Sequence, residues 1–449
     1  MTIPVTQRHD IRQTPALASQ LHETARCVLA VEQGRSLSDA LPTVPVALRP
    51  GVQALSFQVL RCLGTARAVG KLLVQRVPAP YASALLHTSL ALMIADEHEE
   101  RYPAYTLVNQ AVEAAKNSRE GRMAAGFLNA CLRRFLRERA VLLERVTDDP
   151  VARWNHPQWW IQRLQNDHPE HWRSILLAAN RAGPMVLRVN RRVVSRDEYA
   201  QALQGLGRTA VALGDDGLVL AEPQGIDRLP GFSQGHCSVQ DGAAQIAAGL
   251  LLDGRRWSAA DRVLDACAAP GGKTAHLLER AELDLLALDV DTHRCERIRD
   301  NLQRLGLGAE VRAADAGKPE EWWDGRAFDA ILLDAPCTAA GIVRRHPDVR
   351  WLRRASDVDQ LVAVQRRLLD TLWPLLKPGG RMVYCTCSVF RAEGHEQVKA
   401  FLERHTDALL MPSPGHIQPG ASAPGAEFND NEPGGYDGFY YARLDKRGP

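Results

Sequence analysis

The chain has 449 residues, of which 45% are hydrophobic and 24% are charged, and its formal net charge is +2. This length exceeds what one hydrophobic core usually organises, so two or three domains are expected. The nearly neutral charge excludes a nucleic-acid-binding field over the whole surface, and no apolar stretch approaches the length of a membrane span. No apolar signal core is visible near the N-terminus, which predicts a cytoplasmic protein.

Cysteine usage argues against disulfides and structural metals. The nine cysteines are an odd number and show neither CxxC nor other metal-ligand spacing, and HExxH is also missing. We therefore expect reduced thiols and no metal site.

Residues 1–150 are predicted to form an all-helical domain. Apolar residues recur at helical spacing over 16–33, where Gly34 is a plausible C-cap, and again over 127–146. No strand-like alternation competes with these patterns.

A small α+β module is predicted over 151–235. It contains a short strand at 185–190, a helix at 195–207 capped by Ser195, and two strands within 209–223 around an Asp-Asp-Gly turn.

Residues 236–449 alternate between strand and helix patterns, which predicts a parallel sheet covered by helices. The expected strands are 262–267, 284–290, 328–336 and 381–389, and the expected helices are 292–305 and 356–376. The Pro/Gly/Ser-rich stretch 412–425 is predicted to be a loop.

A glycine-rich turn between the first strand of this region and its helix has the character of a ligand cradle. The segment 263–280 reads VLDACAAPGGKTAHLLER, in which Gly271 and Gly272 permit close approach of the backbone and Lys273 can meet a carboxylate. The next strand ends at Asp289, where an acid can accept ribose hydroxyls. The pattern is neither a P-loop nor GxGxxG; it indicates a nucleoside cofactor without choosing NAD or S-adenosylmethionine. A turn that only packs helix on sheet is the structural alternative.

Two further strands carry an acid and thiols toward the same sheet edge. The strand 328–336 delivers Asp334, with Cys337 following in the loop. Strand alternation places Cys385 and Cys387 on one face, with Cys387 nearer the C-terminal end and Cys385 about 7 Å further back, where a thiol usually packs in the core. A thiolate can add to an electron-poor carbon, and methylation of a pyrimidine at C5 needs such a step at C6 together with an acid and a base.

The segment 341–354, GIVRRHPDVRWLRR, concentrates arginine around Trp351. Arginine forks match phosphate oxygens and an indole can stack on a base, so the segment is a candidate RNA-binding surface. An ordinary solvated face is the alternative.

Three segments of the chain resemble the signature segments of RNA cytosine-5 methyltransferases of the NOL1/NOP2/Sun family. They are DACAAPGGKT, LLDAPCTAAG with the following RRHPDVRWLRR, and YCTCSV. GGYDGFYYARL at 434–444 resembles the closing strand of that family. Within it, the chain is most similar to bacterial Sun-type enzymes that act on small-subunit ribosomal RNA. VEQGRSLSDALP at 31–42 resembles their NusB-like RNA-binding domain, and HPQWWIQRL and VLRVNRR resemble their middle segment.

The resemblance implies an N-terminal all-α NusB-like domain, a small α+β module and a Rossmann-like methyltransferase domain. It implies that Cys387 is the nucleophile on cytosine C6, that Cys337 assists proton removal and product release, and that Asp334 contacts cytosine N3 and its amine. The implied S-adenosylmethionine-binding residues are Cys267, Ala268, Ala269, Pro270, Gly271, Gly272, Lys273, Asp289 for the ribose, Asp315 for the adenine edge, and Asp334. The implied RNA-binding residues are Arg344, Arg345, His346, Arg350, Arg353 and Arg354.

The implied substrate is 16S ribosomal RNA, free or in a partly assembled small subunit, and a monomer without metal or membrane association is expected. Two departures from the family pattern stand out: Thr338-Ala339-Ala340-Gly341 lacks a usual hydroxyl at 340, and Cys385 replaces a usual alanine. The alternatives are the same chemistry on tRNA and a non-catalytic RNA-binding assembly factor. A DNA methyltransferase is disfavoured, because such enzymes take their nucleophile from the Pro-Cys loop.

Overall fold

The structure is a computed structural model that describes residues 16–95, 102–421, 424 and 434–448. The chain divides into two compact units, Met1–Gln158 and Trp159–Pro449. Within the described residues, no helix combines the length and the apolarity needed to cross a membrane.

The described part of the first unit is helical throughout, as predicted. Helix α4 is apolar on nearly all sides and lies at the centre, in contact with α1, α3, α5 and α6. The helices of this unit are α1 (Leu17–Glu32), α2 (Leu37–Ala40), α3 (Arg49–Leu73), α4 (Pro80–Ile94), α5 (Ala104–Asn117), α6 (Ala125–Glu144) and α7 (Pro150–Trp154).

The end of α1 confirms the role predicted for Gly34. Its φ of 92° lies in the left-handed region. The Gly34 N–H bonds the Val31 carbonyl at 3.0 Å and the Arg35 N–H bonds the Ala30 carbonyl at 2.9 Å. These two bonds form a Schellman motif, in which glycine avoids the strain that a side chain brings.

The second unit opens with the predicted α+β module, in which four antiparallel strands form a sheet of order β2-β3-β1-β4. Ser195 begins α10 with a capping box, because its side chain accepts the Glu198 N–H while Glu198 accepts the Ser195 N–H. The elements are α8 (Gln158–Asp167), α9 (Trp172–Ala179), β1 (Val186–Val189), α10 (Arg196–Gly205), β2 (Ala210–Leu213), β3 (Gly217–Leu220) and β4 (Cys237–Val239).

A seven-stranded sheet follows, of order β10-β11-β9-β8-β5-β6-β7. Strands β9, β8, β5, β6 and β7 are parallel, β11 is antiparallel to β9, and β10 is antiparallel to β11. The elements are α11 (Gly242–Leu252), β5 (Arg262–Asp265), α12 (Gly272–Arg280), β6 (Asp284–Asp289), α13 (Thr292–Leu305), β7 (Glu310–Ala313), β8 (Phe328–Asp334), α14 (Val349–Leu352), α15 (Ala355–Leu372), β9 (Leu376–Thr386), α16 (His395–Arg404), β10 (Ala408–Ile417) and β11 (Phe439–Lys446).

Both faces of this sheet are covered, as its apolar strands predict. Val263 packs with residues of α11, α12 and α13, whereas its neighbour Leu264 packs with residues of α15 and α16. Alternation along buried strands thus fills two cores, one on each side.

The predicted loop at 412–425 is wrong over 412–417, where the chain continues as strand β10. His416 and Ile417 pair with Tyr440 and Phe439 of β11, after an irregularity between Met411 and Gly415. Two prolines fit there because β10 is an edge strand and the bulge needs no ladder bond from them. Residues 422, 423 and 425 of that prediction lie outside the described part of the chain.

Candidate active site

The C-terminal ends of four parallel strands bring the predicted site residues to one edge of the sheet. Strand β5 pairs with both β6 and β8, so the strand order reverses there and a crevice opens between the neighbouring connections. Asp289 ends β6, Asp334 ends β8, and Cys387 follows Thr386 at the end of β9. The sequence prediction that these acids and thiols meet at one edge agrees with this arrangement.

The glycine-rich turn after β5 is fixed by backbone hydrogen bonds to both neighbouring strands. The Ala266 N–H bonds the Leu332 carbonyl of β8 at 2.9 Å, and the Ala268 N–H bonds the Leu288 carbonyl of β6 at 2.8 Å. Gly271 has φ 93°, and a Cβ there would lie 3.1 Å from the Ile298 Cα. Glycine is therefore required at 271 both for its backbone conformation and for the close approach of α13.

Asp265, the last residue of β5, was not among the predicted site residues. Its side chain is fully buried and accepts the Thr274 hydroxyl at 2.6 Å. Its other carboxyl oxygen has no hydrogen-bond partner among the described residues. Burial raises the pKa of Asp265 to about 7, so this acid can present a proton acceptor or a donor to the turn.

The two acids expected to hold a nucleoside are tethered on the cofactor side. Asp289 accepts the Ala269 N–H at 3.2 Å and the Asp291 N–H at 3.1 Å. Asp315 follows β7, accepts the Gly317 N–H at 2.8 Å and lies 3.3 Å from Arg367. Each carboxylate oxygen can accept two hydrogen bonds, so both side chains retain capacity for ribose or base donors.

An ion pair joins the glycine-rich turn to the thiol side of the crevice. The Lys273 Nζ lies 2.7 Å from the Asp334 Oδ2, and the Cys385 Sγ lies 3.4 Å from the Asp334 Oδ1. Burial opposes the charge on Lys273, yet the Asp334 carboxylate and the nearby thiols raise its pKa above the ordinary value. Burial also raises the pKa of the Cys385 thiol, which therefore stays protonated and can donate to Asp334. Cys385 is fully buried in the core, where it was predicted to pack.

The thiols of Cys337 and Cys387 face each other. The Sγ atoms of Cys337 and Cys387 are 3.4 Å apart, and both side chains are half-buried. The hydrogen bond to Cys387, together with burial, raises the pKa of Cys337 well above its ordinary value. Cys337 is therefore a neutral thiol that can donate to the sulfur of Cys387.

The loop after Cys337 is held by backbone contacts despite the missing hydroxyl at 340. The Gly341 N–H bonds the Cys387 carbonyl at 2.9 Å, and the Gly438 N–H bonds the Gly341 carbonyl at 2.9 Å. A Cβ at Gly341 would lie 1.8 Å from the Gly438 oxygen, so only glycine fits. Ala340 is buried in the same loop.

The arginine-rich segment corrects the prediction that all its arginines face RNA. Arg344 is 2% exposed and ion-pairs with Asp437, and Arg345 bridges Asp437 at 2.6 Å and Asp241 at 2.8 Å. Arg350 is also buried, and it bonds the Asn180 side chain and the Ala179 carbonyl. The buried carboxylates of Asp241 and Asp437 compensate Arg344 and Arg345, whereas neutral oxygen acceptors bind Arg350.

The remaining basic residues of the arginine-rich segment are not paired with Asp241 or Asp437. Arg353 bonds the carbonyls of Thr338 at 3.1 Å and Cys337 at 3.4 Å, which places it beneath the thiol loop. His346 and Arg354 are exposed and remain predicted RNA contacts. The aspartates at 241 and 437 were missed from sequence because neither lies near the arginines along the chain.

Comparisons with known proteins agree with this architecture. Residues 256–445 match the family described as 16S rRNA methyltransferase RsmB/F, residues 156–227 match the RsmF/B-like ferredoxin-like domain, and residues 21–137 match the NusB family. The predicted NusB-like domain, α+β module and methyltransferase domain are thereby confirmed as the fold class.

Similar proteins are known from several bacteria. Ribosomal RNA small subunit methyltransferase B of Vibrio cholerae is 41% identical over 96% of this chain and 97% of its own length. The protein of the same name from Pseudomonas syringae pv. tomato is 42% identical over 94% of this chain and 96% of its own. The crystal structure of PH0851 shares the fold, with a TM-score of 0.74, 23% identity and coverage of 99% and 100% of the two chains. The chain belongs to the RsmB/F family of 16S rRNA methyltransferases.

Proposed function

We propose that the protein methylates C5 of a cytosine in 16S ribosomal RNA, using S-adenosylmethionine and a covalent bond between Cys387 and cytosine C6. The observation that carries the proposal is the pair of thiols 3.4 Å apart, next to Asp334 at the C-terminal edge of the sheet. Family membership supports ribosomal RNA as the substrate; the cytosine and the covalent step are inferred from the chemistry of these side chains.

The cofactor side has the donors and acceptors that S-adenosylmethionine needs. The turn 267–273 allows close backbone approach through Gly271, and the unsatisfied oxygen of buried Asp265 provides an acceptor within the cradle. Asp289 would accept the ribose hydroxyls and Asp315 would contact the adenine edge. When bound, S-adenosylmethionine supplies the electrophilic methyl group.

On the thiol side, the Cys387 thiol gives up its proton and attacks C6 as the thiolate, which moves electron density to C5 and to ring N3, where one proton is taken up. Asp334 holds the proton at N3, and its ion pair with Lys273 fixes the carboxylate for that contact. After methyl transfer, a base takes the C5 proton, the C5–H electrons re-form the C5–C6 double bond, Cys387 leaves as the thiolate, and N3 loses its proton.

Cys337 lies where it can assist this release. Its sulfur is 3.4 Å from the Cys387 sulfur. The Cys387 sulfur is also the largest cause of its raised pKa. Once that sulfur is bonded to C6 it carries no charge, so the obstacle to ionising Cys337 is reduced. After losing its own proton to solvent, Cys337 can accept the C5 proton as a thiolate, and the departure of the Cys387 sulfur regenerates free enzyme.

Two alternatives are disfavoured by specific observations. A non-catalytic assembly factor has no need for two thiols and an acid converging on one crevice. The same chemistry on tRNA uses the same site, but the relatives that match over nearly the whole chain are named for small-subunit ribosomal RNA.

The test combines labelled S-adenosylmethionine with unmethylated 16S RNA, partly assembled small subunits and tRNA, followed by bisulfite mapping of the product. We expect incorporation at a cytosine of 16S RNA. Cys387→Ala should abolish transfer, and Cys337→Ala should accumulate a protein–RNA adduct that survives denaturant. Full activity in Cys387→Ala, or an adduct through Cys385, would overturn the assignment. Incorporation only into tRNA, or into none of the three RNAs, would overturn the substrate or the activity respectively.

A further inference from the structure

The residues that directly follow the two thiols share one buried carboxylate. The Glu393 side chain accepts the Thr338 N–H at 2.8 Å, the Thr338 hydroxyl, and the Ser388 hydroxyl at 2.6 Å. Thr338 follows Cys337, and Ser388 follows Cys387. All three residues are 0% exposed, so water does not compete for these bonds.

We propose that Glu393 is a positioning residue that sets the distance between Cys337 and Cys387. Each thiol sits at the end of a different strand, on backbone that has left the sheet ladder. The Glu393 carboxylate binds both Thr338 and Ser388 and so couples the two loops. Neither loop can move without breaking a buried, charge-assisted hydrogen bond. The part of this inference that concerns catalysis rests on the proposed function.

The carboxylate is itself fixed in place by neighbouring elements. The Glu393 carbonyl accepts the Tyr384 hydroxyl of β9 at 2.8 Å. Gln365 of α15 donates to the Glu393 Oε1 at 3.2 Å and to the Pro336 carbonyl at 2.9 Å. Pro336 precedes Cys337, so the network holds the thiol loop on both sides of the cysteine. Buried networks in which every member is satisfied are rigid and specify one geometry.

The proposed reaction requires the two thiols to act in turn and close together. Cys387 must reach C6 first, and Cys337 must then act beside the same sulfur. A displacement of about 1 Å in a reacting group can cost about 10²-fold in rate. We therefore expect Glu393→Ala to lower kcat by about 10²-fold, with little change in KM for RNA or cofactor, and to prolong the covalent adduct as Cys337→Ala does.

The distance between the thiols can be tested without any methyl transfer. Phenylarsine oxide forms two arsenic–sulfur bonds with a close pair of thiols and releases one water, so tight binding reports that the two sulfurs are near each other. Wild-type protein should bind one equivalent at this pair, and Cys337→Ser should lose it. Glu393→Ala should bind at least about tenfold more weakly, because the two thiols no longer act at a high effective concentration.

Glu393→Gln provides the rescue. Its amide oxygen can accept the Thr338 N–H, and its amide nitrogen can donate to the two hydroxyls, which rotate to accept. We expect Gln to recover most of the arsenical affinity and of kcat. Asp329→Ala is the matched control, because Asp329 is a nearly buried carboxylate at the opposite end of β8 that bonds the Arg262 N–H at 2.9 Å and Lys377 at 2.7 Å.

The outcomes separate the two proposals. Weak arsenical binding in Glu393→Ala, normal binding in Asp329→Ala and rescue by Gln support the positioning role. Wild-type arsenical affinity in Glu393→Ala, or an equal loss in Asp329→Ala, overturns it. If wild-type protein binds the arsenical but transfers no methyl group to any RNA, the proposed function fails while the positioning of the thiols stands.

Discussion

The two sides of the crevice are built in different ways. The cofactor side is built around one continuous segment, the turn after β5, which backbone bonds tie to the neighbouring strands and glycine shapes. The thiol side joins the ends of β8 and β9 through side chains from α15 and from the stretch before α16. One side depends on local backbone conformation, and the other depends on buried polar contacts between distant segments.

This difference predicts different responses to substitution. Changes on the cofactor side should mainly alter cofactor affinity, since that side is proposed to bind the cofactor and holds none of the proposed reacting thiols. Changes on the thiol side should alter kcat or stability, since its side chains fix reacting groups or compensate buried charge. Asp334 is the connection between the sides through Lys273.

Asp334→Asn should have the largest effect. Asparagine keeps the shape but lacks the negative charge that stabilises a proton on N3, so we expect kcat to fall about 10³-fold, or about 4 kcal/mol, with loss of the covalent adduct. Single-turnover transfer from labelled S-adenosylmethionine measures this. Asp289→Asn is the comparison on the cofactor side and should mainly weaken cofactor binding. A small kcat effect in Asp334→Asn together with a large one in Asp289→Asn would reverse the division between the two sides.

Arg344→Met should have the second-largest effect, which should be a loss of folding stability. Removing this buried guanidinium leaves Asp437 with less compensation, which costs about 3–5 kcal/mol in comparable buried pairs. Arg354→Met, at an exposed position of the same segment, should change stability by less than about 0.5 kcal/mol. Urea unfolding compares the two variants. Wild-type stability in Arg344→Met with weakened RNA binding would restore the original prediction that Arg344 faces RNA.

Local signals account for the features that the sequence predicts correctly. Helix α13 matches the predicted 292–305 because Asp291 caps its start and Gly306, at φ 65°, ends it, and both signals are local. The turn 267–273 was identified from contiguous residues for the same reason. These features depend on backbone preferences that neighbouring residues reveal.

Features that depend on distant partners were missed or misassigned. Nothing beside Arg344 indicates that Asp437 will neutralise it, and a cluster of arginines is more typical of a surface. Glu393 stands in the polar run RAEGHEQ, which is typical of an exposed helix start, yet it is buried under the thiol loops. The strand at 412–417 exists because β11 pairs with it, despite two prolines and a glycine.

Gly271→Ala should weaken cofactor binding, and its free-energy effect should be smaller than those of Asp334→Asn and Arg344→Met. A left-handed conformation costs a non-glycine residue about 1–2 kcal/mol, and the added Cβ meets Ile298 at 3.1 Å. If the turn shifts to relieve this, we expect cofactor affinity to fall at least about tenfold by calorimetry. Gly379→Ala is matched, since its φ is 76° with nothing within 4 Å of the added Cβ. It should lose stability through its backbone conformation alone and keep cofactor affinity; equal losses of affinity in both variants would contradict a local effect.

Cys385→Ala should have the smallest effect, although the Cys385 Sγ lies 3.4 Å from the Asp334 Oδ1. Removing the buried sulfur should cost about 1 kcal/mol of stability, and loss of its contact with the Asp334 Oδ1 should change kcat by no more than about threefold, because Lys273 still holds the other oxygen at 2.7 Å. Thermal unfolding and single-turnover transfer measure the two quantities. A loss in kcat approaching that of Asp334→Asn would show that the buried thiol orients the acid, and the thiol side would then include three cysteines.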